Sequence, residues 1–314
     1  MGMNRIGIVG AGPAGALAAF LLKQAGVDVV VFEKSRGPGG RCATRWAGEG
    51  RWDHGAPGFT VSDSALEPLI QDGVRRGILS RWGGASGSGE RALWTGNPSM
   101  SALSGAWLEG VELETQTRVT GLGPDGRIQA EKQGEVREFR VDHVALAIPA
   151  PQVCELLEET HPFQEPLGAV HYAGTLTAML EFEDAVPVDW ERLELEDPIL
   201  QTVIRNQTKS GRPAGERWVL HGTAADAEGH MHLEKEVVGE RLMNALRRHL
   251  KDLPEPSTVM GHRWKYANVV RPCGVPFLRS ESLSVIGDGL LGGGVEGALL
   301  SAQKWVQALV GAEA

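Results

Sequence analysis

The 314-residue sequence has few cysteines and fewer basic than acidic residues. Cys42, Cys154 and Cys273 lie far apart and form no C-x-x-C pair, so neither a disulfide framework nor a zinc site is indicated. The net charge of −9 argues against nucleic acid as a partner and against a polybasic membrane patch. Unpaired cysteines favour a reduced, cytoplasmic setting.

Long apolar runs are also missing. Residues 6–22 contain four glycines and a proline, which interrupt this stretch both as a secretory signal core and as a membrane span. Ile6 stands where an N-myristoylation motif requires Ser or Thr. We therefore expect no membrane association.

Glycine, in contrast, is abundant, with 42 residues against a usual share of about 7%. Residues 10–15 read G-x-G-x-x-G between an apolar strand at 6–9 and an Ala/Leu-rich helix at 16–22. The context makes a chance match improbable, because such a loop is built between a strand and a helix. This segment predicts a dinucleotide-binding unit.

Each glycine of this loop has a physical role. Gly10 permits the tight turn out of the strand, Gly12 lets the backbone approach a pyrophosphate, and Gly15 lets the helix and strand pack closely. The helix directs its free N–H groups and positive dipole end at the phosphates. Glu33 ends the next strand, 27–32, where its carboxylate can accept both ribose hydroxyls.

Two further motifs narrow the choice of dinucleotide. Gly39-Gly40-Arg41 follows Glu33 in the pattern E-x5-G-G-R-x-x-T, and Arg41 can pair with a pyrophosphate oxygen. Near the carboxyl end, an apolar strand runs into Gly287-Asp288, and residues 292–298 begin a helix whose amino end can stabilise negative charge on a reduced flavin. The first of these patterns resembles the second fingerprint of the flavin amine oxidase superfamily.

The pattern along the chain predicts an α/β fold with an α+β substrate region. In this interpretation, a Rossmann-like FAD-binding domain carries an inserted substrate domain with a mostly antiparallel sheet. The FAD-binding domain comprises residues 1–60, 97–160 and 258–314, and the substrate domain comprises 61–96 and 161–257. Residues 170–182, 218–222 and 258–264 predict strands, 234–249 predicts an amphipathic helix, 44–60 predicts irregular structure and 81–89 predicts turns.

Over nearly its whole length, the chain resembles the renalase branch of the FAD-dependent amine oxidase superfamily. The resemblance rests on residues 32–41 (FEKSRGPGGR), 53–56 (DHGA), 96–100 (GNPSM), 147–151 (AIPAP), 263–267 (RWKYA) and 287–289 (GDG). It implies non-covalent FAD and oxidation of the 2- and 6-dihydro isomers of NAD(P)H. It further implies hydride transfer to flavin N5 and reoxidation by molecular oxygen, which gives hydrogen peroxide.

The motifs and the resemblance together assign two sets of site residues. Trp264 and Tyr266 are expected to position the substrate, and Phe59 and Trp46 are further candidates for its walls. Lys209 and Arg212 could meet a substrate phosphate, while a structural role is the better interpretation for His54, His171, His221 and His262. The expected cofactor contacts are Gly10, Gly12, Pro13, Ala14, Gly15, Glu33, Lys34, Gly40, Arg41, Ala56, Val119, Gly287, Asp288, Val295 and Glu296.

The chain also departs from the renalase pattern. Pro57-Gly58 stands where that branch has Gln-Tyr, and Lys265 stands where Arg is more usual. Two alternatives therefore stay open. One is an FAD-dependent amine oxidase or desaturase acting on another small substrate, with Lys265 near flavin N5. The other is a non-catalytic flavin-binding protein. A buried thiol, and no metal site, is expected at Cys273.

Overall fold

The computed structural model describes residues 5–83 and 92–311. Its strands are β1 (Arg5–Val9), β2 (Asp28–Glu33), β3 (Thr44–Ala47), β4 (Gly50–Asp53), β5 (Leu79–Trp82), β6 (Leu93–Gly96), β7 (Glu112–Thr115), β8 (Thr117–Gly123), β9 (Arg127–Lys132), β10 (Glu135–Arg140), β11 (His143–Leu146), β12 (His171–Phe182), β13 (Arg192–Glu194), β14 (Leu200–Arg205), β15 (Glu216–Gly222), β16 (Thr258–Arg271), β17 (Leu278–Arg279) and β18 (Leu283–Val285). Its α-helices are α1 (Pro13–Gln24), α2 (Glu67–Arg75), α3 (Met100–Trp107), α4 (Ala150–Cys154), α5 (Gln164–Gly168), α6 (Ala224–His230), α7 (Lys235–His249), α8 (Asp288–Leu291) and α9 (Gly294–Val310).

A six-stranded sheet combines the first two strands of the described chain with its last two. Its order is β17-β18-β11-β1-β2-β7, and every pair is parallel except β17 with β18. Strands β1, β2 and β11 are continuous apolar runs, as expected of parallel strands buried on both faces. This sheet confirms the predicted α/β class with a Rossmann-like region.

Helices cover one face of this sheet and a meander covers the other. On the first face, Ile8 and Val31 pack in one core with Leu17 of α1 and Trp305 of α9. On the second face, the antiparallel strands β8, β9 and β10 bring Ile128 against the sheet. The amino-terminal and carboxy-terminal helices therefore lie side by side, although about 280 residues separate them.

A second sheet of five antiparallel strands has the order β13-β14-β15-β12-β16. Helix α7 covers one face through Leu242 and Leu246, whose helical spacing produced the predicted apolar stripe. On the opposite face, Met179 packs with Trp52 of β4 and Trp82 of β5. The hairpins β3–β4 and β5–β6 thus lie between the two large sheets.

Two sequence predictions about local structure were wrong. The segment 44–60 is not irregular, because Thr44–Ala47 and Gly50–Asp53 form the hairpin β3–β4. Leu79–Trp82 likewise forms a strand paired with β6, while residues 84–89 of the predicted turn lie outside the described residues. Both hairpins are stabilised by tryptophans buried against the second sheet, a long-range contact that a local pattern does not show.

Within the described residues, no helix combines the length and apolar character needed to cross a bilayer. Nor do the described residues contain a group of three or more His, Cys, Asp or Glu side chains arranged for a metal ion. The proposed boundaries of the two domains stay a prediction.

Candidate cofactor and substrate site

The first glycine motif forms the turn from β1 into α1. Gly10 has a φ of +105°, and a Cβ there would lie 2.7 Å from the carbonyl oxygen of Ala147. A Cβ on Gly15 would lie 2.0 Å from the Gly10 oxygen, so glycine is required for the helix to start here. At Gly12, in contrast, the nearest protein atom to a Cβ is the Gly40 Cα, 3.9 Å away. Gly12 therefore faces open space.

The start of α1 offers free donors to that space. Pro13 and Ala14 occupy the first positions of the helix, and no side chain caps its amino end. The unpaired N–H groups and the positive end of the helix dipole make this end suited to a phosphate.

Glu33 lies at the end of β2, where its carboxylate is nearly buried. Its Oε2 accepts a hydrogen bond from the backbone N–H of Ala11 at 3.0 Å, and Oε1 accepts one from Ser35 at 2.7 Å. Each carboxylate oxygen can accept a second bond, so the group is oriented and still has capacity for a pair of hydroxyls.

The second glycine motif packs directly on the first. The N–H of Gly39 donates to the carbonyl of Ala11 at 2.9 Å, and a Cβ on Gly40 would lie 3.2 Å from the Gly12 Cα. The residues that follow Gly40 form a single 3-10 turn that ends at Cys42. The two motifs, about thirty residues apart in sequence, form one continuous glycine-lined surface.

Arg41 extends this surface to the carboxyl end of the chain. Its guanidinium donates two hydrogen bonds to the Asp288 carboxylate, at 2.7 and 2.5 Å, and one to the Tyr266 carbonyl at 3.2 Å. Asp288 opens α8 after Gly287, whose φ is +135° and whose absent side chain would meet no protein atom within 4 Å. We call the surface that runs from Gly12 past this ion pair to Gly287 the groove.

Trp264 and Tyr266 lie where the edge strand β16 is irregular. Thr175 pairs with Trp264 but Ala173 pairs with Asn268, so residues 265–267 form a bulge opposite β12. This bulge brings the Tyr266 carbonyl to Arg41. The sequence-predicted substrate residues thus lie beside the sequence-predicted cofactor residues.

Tyr172 also belongs to this region, although sequence reasoning did not select it. Its ring lies edge-on to Tyr266 at a centroid distance of 5.6 Å, and its hydroxyl accepts from the Ala150 N–H at 3.2 Å. A Cβ on Gly289 would lie 2.4 Å from that hydroxyl. The only signal in the sequence is that Tyr172 and Tyr266 are the two tyrosines of the whole chain.

Three histidines gather on the face of the second sheet that bears Trp264. His221 of β15 and His262 of β16 both pair with Thr177 of β12. The side chains of His221, Thr177 and His262 therefore form a row across the sheet, which we call the histidine row. His54, which follows β4, packs on this row with its ring 4.9 Å from His262 and 5.1 Å from Trp264.

These histidines are neutral, and two of them have a buried ring nitrogen without a hydrogen-bond partner among the described residues. Burial lowers the pKa of His54, His221 and His262 to about 4 each. The buried His54 Nδ1, His221 Nε2 and Thr177 Oγ1 have no hydrogen-bond partner among the described residues. The wall beside Trp264 is therefore uncharged and rich in donors and acceptors.

Lys209 and Arg212 do not form the predicted phosphate site. Both side chains are almost completely buried, and both bind the Asp53 carboxylate, at 3.1 Å from Lys209 Nζ and 2.6 Å from Arg212 Nη2. These two cations hold the pKa of Asp53 at about 2, against the effect of burial. The charges that looked free in sequence are paired inside the protein.

The other candidates have varied surroundings. Phe59 is buried in the core and Trp46 is 61% exposed, with Arg51 stacked on its ring, so neither is drawn into the site by a described contact. The Glu296 carboxylate accepts from the backbone of Ser62 and Asp63, and Lys34 donates weakly to Gln152.

The remaining predicted residues lie in the backbone frame around the groove. The Ala56 N–H donates to the Arg41 carbonyl at 2.9 Å, and Val295 begins α9. Val119 is buried beside Phe32 of β2. Cys273 is half-buried and free, and burial raises its pKa.

Family models match most of the chain. Residues 8–72 match an NAD(P)-binding Rossmann-like domain, and residues 88–310 match the flavin containing amine oxidoreductase family. Together with the groove, which offers open space at two glycines, an uncapped helix end and a placed carboxylate, these matches indicate a flavin cofactor.

Two curated relatives are similar over about a quarter of this chain. A zeta-carotene-forming phytoene desaturase from Myxococcus xanthus is 51% identical over 73 residues, which are 23% of this chain and 14% of the desaturase. The NAD-dependent dihydropyrimidine dehydrogenase subunit PreT of Salmonella typhimurium is 36% identical over 75 residues, or 24% of this chain and 16% of that subunit. The similarity spans less than a fifth of each relative.

Solved structures share the whole fold at low sequence identity. A protein from Exiguobacterium sp. 255-15 described as a protoporphyrinogen oxidase superposes with a TM-score of 0.72, 14% identity and 99% coverage of both chains. Cyclohexylamine oxidase from Brevibacterium oxydans IH-35A gives 0.70, 12% identity and 99% coverage of both. At these identities, the likeness concerns the fold alone.

Proposed function

The chain belongs to the flavin containing amine oxidoreductase family, and we propose that it is an FAD-dependent oxidase of dihydronicotinamide isomers, the 2- and 6-dihydro forms of NAD(P). When bound, FAD would supply a two-electron acceptor for the hydride that the dihydronicotinamide loses as it becomes oxidised nicotinamide, and molecular oxygen with one proton from solvent would take up the electron pair as hydrogen peroxide. Binding is proposed to be non-covalent.

The charge around the histidine row supports this substrate. Three cations, Arg45, Lys235 and Arg263, lie close enough to His262 for each to lower its pKa. Arg45 and Lys235 form no ion pair within the part of the chain that the structure describes. Like charges repel, so this corner disfavours a protonated amine and favours a substrate that carries phosphates. This observation carries the proposal.

The protein's own residues would bind the cofactor, orient the substrate and exclude water from the site. Glu33 and the amino end of α1 would hold the adenosine and pyrophosphate half of FAD, and Asp288 a ribityl hydroxyl. Trp264 would pack on a flat dihydropyridine, and the neutral histidines would bind its polar substituent without adding charge. Hydride transfer needs close placement and exclusion of water rather than a strong acid or base.

Anaerobic mixing tests the proposal directly. Purified flavin-loaded protein is mixed with 2-dihydro-NAD, with 6-dihydro-NAD and, separately, with cyclohexylamine and benzylamine, while flavin absorbance is followed. We expect the isomers to bleach the flavin within seconds and the amines to leave it oxidised. Bleaching by amines alone would establish the amine oxidase alternative. If no compound reduces the flavin but dithionite does, the non-catalytic alternative is favoured.

A further inference from the structure

The buried carboxylate of Asp53 joins the loop after β14 of the five-stranded sheet to β3 and α3. Asp53 Oδ1 accepts from the Thr44 hydroxyl at 2.7 Å and from the Met100 N–H at 3.0 Å. Its Oδ2 accepts from Lys209 at 3.1 Å and from Arg212 at 2.6 Å. The side chains of Asp53 and Lys209 are 0% exposed and that of Arg212 is 1% exposed. We call these five residues the Asp53 cluster.

The cluster joins parts of the chain that are distant in sequence. Lys209 and Arg212 belong to the loop between β14 and β15 of the five-stranded sheet. Thr44 begins β3, shortly after the second glycine motif, and Met100 begins α3. Asn206 strengthens the join, because its side chain accepts from the Asp53 N–H at 3.3 Å and donates to the Arg51 carbonyl at 2.9 Å. The five-stranded sheet is thereby fixed to the end of β4.

Directly after Asp53, the chain runs between the substrate wall and the cofactor groove. The His54 carbonyl accepts a hydrogen bond from Trp264 Nε1 at 2.9 Å, and the Ala56 N–H donates to the Arg41 carbonyl at 2.9 Å. Between them, a Cβ on Gly55 would lie 1.9 Å from the Arg41 oxygen and 3.3 Å from the Trp264 ring. Residues 53–56, which we call the strap, are therefore packed closely against Arg41 and Trp264.

We propose that Asp53 is a positioning residue, which sets the orientation of the Trp264 indole beside the cofactor groove through the His54 carbonyl. The carboxylate has no route to solvent and binds two cations, so its loss would leave both cations buried without a partner. The strap would then relax at its Asp53 end while Arg41 still holds its Ala56 end. The consequence for substrate binding rests on the proposed function, because that function places Trp264 against the substrate.

The primary test follows Trp264 itself and needs neither substrate nor flavin. The protein is labelled with 5-fluorotryptophan, and the ¹⁹F resonance of Trp264 is assigned from its loss in Trp264→Phe. We expect Asp53→Asn to shift or broaden this resonance. The matched control is Asp226→Asn. Asp226, on helix α6, is another buried carboxylate, and it pairs with Arg241 of helix α7. The control should leave the Trp264 resonance unchanged.

A kinetic cycle tests the consequence for substrate. The lost indole hydrogen bond should raise KM for the dihydronicotinamide isomer about three- to tenfold in Asp53→Asn and in Trp264→Phe, with kcat changed far less. The double variant should be no worse than Trp264→Phe alone, because both changes break the same link. In the control cycle, the KM of the double variant with Asp226→Asn and Trp264→Phe should change by the product of the two single-variant factors.

The outcomes separate this inference from the proposed function. An unmoved Trp264 resonance in folded Asp53→Asn, or KM effects that multiply in the double variant, would overturn the inference. If no isomer reduces the wild-type flavin, the proposed function fails while the ¹⁹F result still decides the inference. If Asp53→Asn does not fold, Lys209→Met keeps the Asp53–Arg212 pair, and a smaller shift of the Trp264 resonance is expected; no shift there would count against the inference.

Discussion

The Arg41 guanidinium and the Asp288 carboxylate form a two-point ion pair, although 247 positions separate them in sequence. Arg41 comes from the second glycine motif and Asp288 from the turn after β18. The motifs separately predict a cofactor contact for each of them, at the pyrophosphate for Arg41, and we have proposed a ribityl hydroxyl as the partner of Asp288. Because they pair, each side chain also orients the other, so a substitution of either one also affects the contacts of its partner.

Replacing Asp288 by Asn should weaken cofactor binding through Arg41 as well as directly. The substitution removes the charge that balances a half-buried guanidinium and one strong hydrogen bond. We expect the FAD dissociation constant to rise about 10- to 100-fold. It can be measured by titrating FAD into the apoprotein and following the quenching of FAD fluorescence.

Glu114→Gln is the control for this substitution, because Glu114 lies on β7, the edge strand of the six-stranded sheet, and pairs with Lys132 of β9. Its FAD affinity should match the wild type. Equal affinities for Asp288→Asn and the wild type would remove Asp288 from the cofactor site.

Two glycine variants should separate cofactor binding from folding. Gly12→Ala adds a methyl group that meets no protein atom closer than 3.9 Å, at an ordinary φ of −73°, so the apoprotein should keep its thermal stability. The methyl group would occupy the space through which a pyrophosphate approaches, and FAD affinity should fall by at least about tenfold. Calorimetry of the apoprotein and FAD titration measure the two effects.

Gly15→Ala supplies the contrast, because its Cβ would lie 2.0 Å from the Gly10 carbonyl oxygen. Overpacking of this kind should lower the free energy of unfolding by about 1–3 kcal/mol even without FAD. The glycine-loop assignment fails if Gly12→Ala binds FAD as tightly as the wild type.

Acidification should unfold the protein through its buried histidines. Burial lowers the folded-state pKa of His54, His143, His221 and His262 to about 4, while the ordinary value is 6.5. The unfolded chain therefore binds more protons between these values, so stability is complete above about pH 6.5 and is lost as the pH falls toward 4. For the deeply buried His54, the difference between the folded and ordinary pKa values contributes at most roughly 3 kcal/mol to the free energy of unfolding.

Urea unfolding at pH 7.5, 6, 5 and 4.5 measures this dependence. His143→Asn removes one of these histidines from the region between β11 and β18, away from the substrate wall, and should flatten the curve. A free energy of unfolding that is constant from pH 7.5 to 4.5 would contradict the neutral, buried state of these histidines.

Lys265→Met distinguishes the proposed oxidase from the amine oxidase alternative. Lys265 is exposed, and its described contact is with the Tyr266 ring, 5.3 Å from Nζ. An exposed contact of this kind is worth about 0.5–1 kcal/mol, so reoxidation of the reduced flavin by oxygen should slow by no more than about fivefold. Stopped-flow mixing of reduced protein with oxygenated buffer gives this rate. A loss of two orders of magnitude would instead place Lys265 at flavin N5.

The sequence predicted the parts of the site that depend on local backbone geometry. The turn at Gly10, the close packing at Gly15 and the carboxylate at the end of β2 follow from a strand, a loop and a helix that are neighbours in sequence. The helix α7 was predictable for the same reason, since its apolar stripe repeats with the helical period.

The parts that depend on distant partners were not predictable. Lys209 and Arg212 looked like free cations because Asp53, more than 150 residues away, is not visible as their partner in sequence. The hairpin β3–β4 was missed because what stabilises it is the burial of Trp52 against another sheet. Tyr172 was missed because its role comes from contacts with Tyr266 and Gly289.

The strand order β18-β11-β1-β2 has a consequence for synthesis on the ribosome. The nascent chain presents β1 before β11, so β1 gains its second neighbour only when β11 has been made, and the groove gains Asp288 only after β18. Most of the groove's closing contacts are thus of long sequence separation, which slows folding. A chain released before α8 would therefore carry both glycine motifs without the Arg41–Asp288 pair.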